Sequence, residues 1–326
     1  MKVLITGAGG FLGRRVVAAV HAAKHQVRAM VRPSADVEKL GWDEEIDVFR
    51  ADLRAYGDLL EAMKDVDAVV HLATAMVGDD FSRFSDSVVG TERLFEAMTR
   101  STVKRLLLCS SFAVYDLNGV FGTLDEEVKL FADIYQAGAY SMAKFWQERM
   151  ARRLAEEHNW DLTVLRPGFI WGDANQDLAC LGQRLGKNYF VFGGARRLAL
   201  THVDNCADCF RVALENSKSV GETFNVVDGD DVRAWRYVGE YLRRSGNPGR
   251  RVYLPQWLPW LTVQAVNLGS RFLFNGQGKL PSMFVPCRYA LRYKPLRFSN
   301  RKLRRLLSWT PPLRFEQCLE RTYGAL

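Results

Sequence analysis

A turn with three spaced glycines, Gly7, Gly10 and Gly13, stands near the start of the chain. It follows an apolar run of strand length at residues 3–6 and precedes a segment whose apolar residues have helical spacing. Glycine there lets the chain turn tightly, lets backbone approach a ligand, and lets the helix pack closely on the strand. Because a helix N-terminus also favours anions, the pattern predicts a strand, turn and helix that bind a dinucleotide pyrophosphate.

Further apolar runs of strand length alternate with segments of helical spacing. These runs begin at Val27, Asp47, Ala68, Arg105 and Leu162. Short buried strands that alternate with helices are typical of parallel sheets. We therefore expect an α/β protein with a Rossmann-type, doubly wound parallel sheet.

After about residue 170 this alternation weakens, and Gly and Pro interrupt the pattern. A run of strand character at residues 223–227 indicates a return to the first domain. We expect a dinucleotide-binding domain at residues 1–170 with a return segment at about 200–228, and a smaller C-terminal substrate-binding lobe at residues 171–199 and 229–326.

The composition is that of a globular protein. Hydrophobic residues at 48% and charged residues at 25% exclude a disordered chain. No charge-free apolar run reaches the roughly 18 residues of a transmembrane helix. Six cysteines, with no secretory leader before the first apolar run, predict reduced thiols and a cytoplasmic location.

The net charge of +8 is distributed unevenly along the chain. Residues 241–315 contain 15 Lys and Arg and no Asp or Glu, whereas the rest of the chain has 30 basic and 37 acidic residues. Such a block suits an anionic membrane surface or a small anionic ligand, and Arg288, Arg292 and Arg297 are candidates to hold a diphosphate. We expect no nucleic-acid partner, because no recognition module accompanies the charge.

An apolar segment without acidic residues lies within this block at residues 254–274, and Trp257 and Trp260 stand near its start. One interpretation is that it covers the substrate pocket and packs on the smaller lobe. The other is peripheral membrane contact, since aromatic and basic residues around an apolar helix suit the lipid interface.

The residue after the second predicted strand is Arg32. A carboxylate at this place binds the ribose of NAD, whereas a cation binds the 2′-phosphate of NADP. Arg28 and Lys39 are candidates to assist, and the alternative is that Asp36 binds the ribose of NAD. We expect NADP, with NAD as the second choice, and place Asp52 near the adenine.

Tyr140 and Lys144 are four residues apart in a segment with strong helix formers, so one helical turn stacks them on the same face. A nearby ammonium favours the phenolate, so we expect Lys144 to lower the pKa of Tyr140. A hydroxyl at the end of the fifth strand, from Ser111 or alternatively Ser110, completes the set. These residues predict proton exchange with a substrate alcohol or carbonyl.

Together these motifs resemble the extended short-chain dehydrogenase/reductase family of the NAD-dependent epimerase/dehydratase type, which includes nucleotide-sugar epimerases, dihydroflavonol-type reductases and 3β-hydroxysteroid dehydrogenases. The resemblance covers nearly the whole chain and rests on residues 6–13, Asp52-Leu53, His71-Leu72-Ala73, Ser110-Ser111, Tyr140 to Lys144, Arg166-Pro167-Gly168 and His202-Val203-Asp204.

The resemblance implies that Tyr140 is the acid/base, that Lys144 holds the nicotinamide ribose and that Ser111 orients the substrate oxygen. It also implies a possible homodimer and a small-molecule substrate, nucleotide-linked or lipidic. The implied cofactor contacts are Gly7, Gly10, Phe11, Leu12, Gly13, Arg32, Asp52, Leu53, Leu72, Ala73, Lys144 and Pro167.

Two departures from the family pattern bear on the reaction: the first argues against a proton relay supported by Asn, and the second against dehydration. Ser87 stands where the family usually has Asn, and Phe112 and Ala113 replace the Asp-Glu pair of dehydratases. We expect an NADP-dependent oxidoreductase acting on a secondary alcohol or ketone, with a nucleotide-sugar epimerase that retains NAD as the alternative. A third reading, a cofactor-binding regulator without turnover, is disfavoured because the Tyr/Lys pair is present.

His202, Cys206 and Cys209 lie at i, i+4 and i+7, which would align three metal-capable side chains on a helix. No fourth ligand accompanies them, so we expect a buried helix flank and no metal.

Overall fold

The computed structural model describes residues 1–55, 58–246, 249–274 and 280–324. The strands are β1 (Lys2–Thr6), β2 (Gln26–Val31), β3 (Asp47–Arg50), β4 (Ala68–His71), β5 (Arg105–Cys109), β6 (Thr123–Leu124), β7 (Asp161–Pro167), β8 (Phe169–Trp171), β9 (Gly182–Leu185), β10 (Asn188–Phe192), β11 (Leu200–His202), β12 (Thr223–Val226), β13 (Arg250–Leu254) and β14 (Arg297–Phe298). The helices are α1 (Phe11–Ala22), α2 (Asp58–Ala62), α3 (Asp80–Thr99), α4 (Ala139–His158), α5 (Val203–Glu215), α6 (Ala234–Arg244), α7 (Trp257–Phe274), α8 (Pro286–Tyr293), α9 (Arg301–Leu307) and α10 (Phe315–Tyr323).

Seven strands form one parallel sheet in the order β3, β2, β1, β4, β5, β7, β12. The chain starts in the middle at β1, runs to one edge, and then crosses over to β4. The prediction of a Rossmann-type doubly wound sheet is confirmed. In such sheets ligands bind where the strand order reverses, beyond the carboxyl ends of the strands.

Both faces of the sheet are buried, which explains the continuous apolar strands. Val3 and Ile5 of β1 pack in the cluster that contains α1 and α5, whereas Leu4 points to the opposite face and packs with residues of α3 and α4. Alternate side chains of a strand point to opposite faces, so a two-sided cover requires apolar residues at every position.

A second group of elements packs around Trp171, Tyr189, Tyr237 and Phe315, from β8, β10, α6 and α10. The last part of the chain also reaches the sheet, because Leu303 and Leu307 of α9 and Trp309 pack with α1 and α5. The C-terminal region therefore contacts both parts of the protein, and the domain limits expected from the sequence stay a prediction.

His202, Cys206 and Cys209, the three metal-capable residues with helical spacing, make contacts that stabilise the fold. His202 caps the N-terminus of α5 by accepting the Asp204 N–H, while Cys206 and Cys209 are fully buried in the core of the sheet. Each cysteine of the chain lies in a described range, and none forms a disulfide.

The His71 ring joins β4 to β1 and α3. Its Nδ1 lies 2.7 Å from Thr6 Oγ1, and its Nε2 lies 2.9 Å from Thr91 Oγ1. The Thr91 hydroxyl donates its own proton to the Ser87 carbonyl oxygen, so it accepts the hydrogen bond from Nε2. Burial lowers the pKa of His71 to about 3, so the ring is neutral at pH 7 and Nδ1 accepts from the Thr6 hydroxyl.

We expect His71 to make the protein less stable as the pH falls. An unfolded histidine titrates near pH 6.5, whereas folded His71 stays neutral down to about 3, so protons favour the unfolded chain between these values. Between about pH 6 and 4, the free energy of unfolding should fall by about 1.4 kcal/mol per pH unit more in the wild type than in His71→Gln. Urea unfolding at several pH values measures both slopes, and parallel slopes would contradict the prediction.

Candidate active site

A cavity of about 1230 Å³ lies at the carboxyl ends of β1, β2, β4, β5 and β7. This volume exceeds the roughly 300–1000 Å³ of a pocket for one drug-sized ligand, so it accommodates a dinucleotide and a substrate together. The structure brings the catalytic and cofactor-contact residues implied by the family resemblance to this cavity: Gly7, Gly10, Phe11, Leu12, Gly13, Arg32, Asp52, Leu53, Leu72, Ala73, Ser111, Tyr140, Lys144 and Pro167.

The glycine turn is closely packed. Gly7 has a φ of +70°, and a Cβ there would lie 2.9 Å from the Ala73 backbone. A Cβ on Gly13 would lie 2.1 Å from the Gly7 carbonyl oxygen. Helix α1 begins after Gly10 with no capping side chain and no acidic residue in its first turn. These features fit a pyrophosphate, because backbone approaches the ligand and the helix N–H groups are offered to its oxygens.

Arg32 lies directly after β2, is exposed, and lines the cavity. Within the described residues no carboxylate forms an ion pair with it, although Asp52 is close enough to feel its charge. The other residues considered for the 2′-phosphate are not among those lining the cavity: Lys39 pairs with Asp36 at 2.7 Å, and Arg28 donates to Asp47. Arg32 is therefore the cation that remains for this role.

Sequence reasoning missed Arg54, which also lines the cavity. Its guanidinium donates to both carboxylate oxygens of Asp52 and, at 3.1 Å, to Asp86. These hydrogen bonds lower the pKa of Asp52. If Asp52 contacts the adenine as expected, its carboxylate must bind the adenine and Arg54 at the same time. The contact between Arg54 and Asp86 could not be predicted from sequence spacing, because Asp86 lies 32 residues away in α3.

Tyr140, at the start of α4, and Ser111, just after β5, both line the cavity, and Ser111 is close enough to influence the pKa of Tyr140. Tyr140 as a whole is 39% exposed, but desolvation by the surrounding cavity walls raises the pKa of its phenol to about 12. The expectation that Lys144 lowers this pKa is not met, because the cost of burying a phenolate outweighs any influence of the ammonium. In this structure the phenol is protonated at neutral pH.

Lys144 lies one turn further along α4 and is 3% exposed. Its Nζ donates to the Cys109 carbonyl oxygen at 2.7 Å. Burial lowers the pKa of Lys144. The side chain is thus directed to the end of β5, next to the hydroxyl pair.

A buried network that the sequence did not reveal holds α4 against the sheet. Ser110 donates to Glu148 Oε2 at 2.7 Å, and Arg166 of β7 donates to both oxygens of the same carboxylate. Burial alone would raise the pKa of Glu148, but the hydrogen bonds and charge of Arg166 hold it below its usual value. Because the Ser110 hydroxyl is used here, Ser111 is the serine that influences the pKa of Tyr140.

The far side of the cavity is basic. Arg196, Arg288, Arg292 and Lys294 line it, and no described carboxylate forms an ion pair with them. Arg196 is 7% exposed and donates to the carbonyl oxygens of Phe192 and Cys180. Arg297, the third cation expected near a diphosphate, does not line the cavity among the described residues.

Helix α7 does not cover the cavity. Its described residues are absent from the cavity lining, whereas Arg288, Ala290, Leu291 and Arg292 of α8 form one wall. Helix α7 packs on the other side of α8. The interpretation of residues 254–274 as a cover of the pocket is therefore wrong for this structure.

The family model of the NAD-dependent epimerase/dehydratase family matches residues 3–227, more than half of the chain. The chain belongs to this family. The resemblance to extended short-chain dehydrogenases/reductases is thereby confirmed, and members of this family depend on NAD or NADP.

Relatives of this epimerase/dehydratase family member include oxidoreductases. The human sterol-4-alpha-carboxylate 3-dehydrogenase (decarboxylating) is 24% identical, and the alignment covers 98% of this chain and 87% of the relative. The 2-alkyl-3-oxoalkanoate reductase of Stenotrophomonas maltophilia (strain K279a) is 28% identical, with 76% of this chain and 77% of the relative covered.

Among solved structures, UDP-glucuronic acid 4-epimerase from Bacillus cereus, in complex with UDP-glucuronic acid and NAD, has the same fold. The TM-score is 0.72 at 20% sequence identity, and the match covers 99% of this chain and 98% of that chain.

Proposed function

We propose that the protein is an NADP-dependent oxidoreductase that interconverts a secondary alcohol and a ketone. The observation that carries this proposal is that Tyr140, Ser111 and Lys144 line the same cavity as the glycine turn. Two hydroxyls at this place bind a carbonyl oxygen between them. The alcohol- and ketone-directed chemistry in the names of the sterol dehydrogenase and oxoalkanoate reductase relatives supports the same reaction class.

Tyr140 acts as the proton donor when a ketone is reduced. Its pKa near 12 keeps the phenol protonated at neutral pH, and a protonated phenol can give its proton to the developing alkoxide. Ser111 orients the carbonyl oxygen toward Tyr140. When bound, the nicotinamide supplies or accepts the hydride.

Lys144 positions the cofactor. One of its three N–H groups donates to the Cys109 carbonyl oxygen, and this bond fixes the ammonium at the end of β5. The remaining N–H groups would hold the ribose hydroxyls of the nicotinamide half. Gly7, Gly10 and Gly13 would hold the pyrophosphate, and Arg32 the 2′-phosphate.

We expect Tyr140→Phe to lower the turnover of ketone reduction by about 10²-fold or more, because the variant lacks the donated proton. NADPH binding, measured by fluorescence titration, should stay within about twofold, since the phenol is not needed to hold the dinucleotide. Tyr135→Phe is the matched control, because Tyr135 is 69% exposed and is not among the residues lining the cavity. Wild-type turnover in Tyr140→Phe would remove the acid/base role.

We expect Arg32→Asp to weaken NADPH binding by about 10²-fold, because a charge-assisted pair with the 2′-phosphate is replaced by repulsion. NADH lacks this phosphate, so its Kd should change by less than about fivefold. Lys39→Ala is the control, since Lys39 pairs with Asp36 and is not among the residues lining the cavity. An equal loss for the two cofactors in titrations of both would argue against the 2′-phosphate contact.

A second candidate function is a nucleotide-sugar epimerase with retained NAD. The basic wall formed by Arg196, Arg288 and Arg292 favours it, because guanidinium groups that form no ion pair with a described carboxylate suit a diphosphate. The fold shared with UDP-glucuronic acid 4-epimerase is compatible with this reading.

The two functions predict different cofactor contents of the purified protein. An epimerase first reduces its bound NAD with hydride from the sugar and then reoxidises it by returning the hydride, so the cofactor stays bound, whereas a reductase exchanges its cofactor with solution. We expect protein that has been dialysed and then denatured to release little dinucleotide, and ketone reduction to require added NADPH. Stoichiometric NAD, together with interconversion of UDP-sugars without added cofactor, would replace the lead proposal by the epimerase.

A further inference from the structure

The side of α7 that points away from the protein is apolar. Trp257, Leu261, Ala265, Leu268 and Phe272 recur at i, i+4, i+8, i+11 and i+15, which places them along one stripe of the helix. They are exposed, with Phe272 at 80% and Trp257 at 60%. Helices at the surface of water-soluble proteins normally have polar residues on this side. We call this stripe the α7 face.

The opposite side of α7 is the one that packs. Val263 is 2% exposed and lies in a cluster with Phe192, Tyr289 and Tyr293, and Ser270 is 7% exposed. Helix α7 therefore already packs against the protein through its other side, and the α7 face is not part of the core. It is an additional apolar surface of about 22 Å in length, at 1.5 Å per residue. Exposed apolar patches of this kind mark binding surfaces.

The surroundings of the α7 face are basic. Among the described residues, those of α8, of the turn at Ser282–Phe284, and of β10 and β13 pack against α7, and these elements contain no Asp or Glu. Arg250, Arg251 and Arg271 are exposed. A binding surface that combines an apolar stripe with uncompensated positive charge is complementary to anionic lipid.

Charge also argues against a second copy of this chain as the occupant. A two-fold interface would bring two copies of the same acid-free basic region together, and like charges would oppose the contact. A substrate role is excluded by position, because the described residues of α7 are absent from the cavity lining.

We propose that α7 docks on the surface of an anionic phospholipid bilayer. The helix lies in the plane of the interface, with the α7 face among the acyl chains near the headgroups and Arg271 of the same helix at the phosphates. Of the described helices, none is long and apolar enough to cross a membrane. This inference does not depend on the proposed oxidoreductase function.

The N-terminal end of α7 extends the docking surface. An open apolar groove of about 750 Å³ lies there and is lined by Trp235, Tyr253, Leu254 and Pro255, among others. Trp235 and Tyr253 are about half exposed. Aromatic side chains with a polar edge are favoured at the headgroup level of a bilayer, so Trp257 and Trp260 would lie at this level together with them.

Docking would also bring the substrate side of the cavity close to lipid. Helix α8 contacts α7 on one side and contributes Arg288, Ala290, Leu291 and Arg292 to the cavity wall on the other. The wall that faces the substrate is thus one helix away from the docking surface.

Vesicle flotation of the full-length protein tests the proposal. We expect wild-type protein to float with vesicles of phosphatidylcholine and phosphatidylglycerol, and to bind several-fold less to phosphatidylcholine alone. Leu261→Glu and Phe272→Glu should each lower the partition coefficient on the mixed vesicles by about tenfold or more, because a charge replaces an apolar group on the lipid side. Leu185→Glu is the matched control, since Leu185 is 73% exposed but lies in β9.

Three results would overturn the proposal. They are no flotation of the wild type, equal losses for Leu261→Glu and Leu185→Glu, and a soluble dimer that Leu261→Glu converts to monomer without any lipid binding. Because both replaced leucines are exposed, the melting temperatures should match the wild type within a few degrees. The experiment measures only lipid binding, so its result does not depend on whether the protein is an oxidoreductase.

Discussion

The buried carboxylate of Glu148 fixes the geometry on which the candidate site depends. It accepts hydrogen bonds from Ser110 at the end of β5, from Arg152 of α4 and from Arg166 of β7, and it is 1% exposed. A buried charge needs such partners, and moving α4 away from the sheet would remove the hydrogen bonds from Ser110 and Arg166. Helix α4 is thereby held at the carboxyl edge of the sheet, which places Tyr140 and Lys144 beside Ser111.

Burial, more than charge, sets the proton chemistry of this site. Tyr140 and Lys144 both have their pKa values shifted toward the neutral form, because the cavity wall removes water from a phenolate and from an ammonium alike. The protonated phenol is suited to give a proton to a ketone oxygen. Arg32 and Arg292, which form no ion pair with a described carboxylate, line the same cavity and suit the anionic groups of ligands.

Local sequence patterns predicted much of the fold and of the site. The spacing of Gly7, Gly10 and Gly13 and the period of the apolar runs depend on backbone geometry within a few residues, and both predictions agree with the structure. The wrong expectations concern contacts between distant segments. The pKa of Tyr140 depends on burial by several elements, and the position of residues 254–274 depends on which side of α8 the helix packs. Neither can be read from spacing along one chain.

The sequence alone determined the parallel sheet, the family, and the residue types available at the carboxyl edge, because periodicity and glycine placement are local properties of the chain. Tertiary structure decided which of these residues meet. It directed the Ser110 hydroxyl to Glu148, brought Ser111 and Tyr140 to the same cavity, and left Arg32 in the cavity lining. It also turned the apolar side of α7 outward. The physical reason is that desolvation and pairing depend on neighbours in space, which are supplied by strands and helices far apart in the chain.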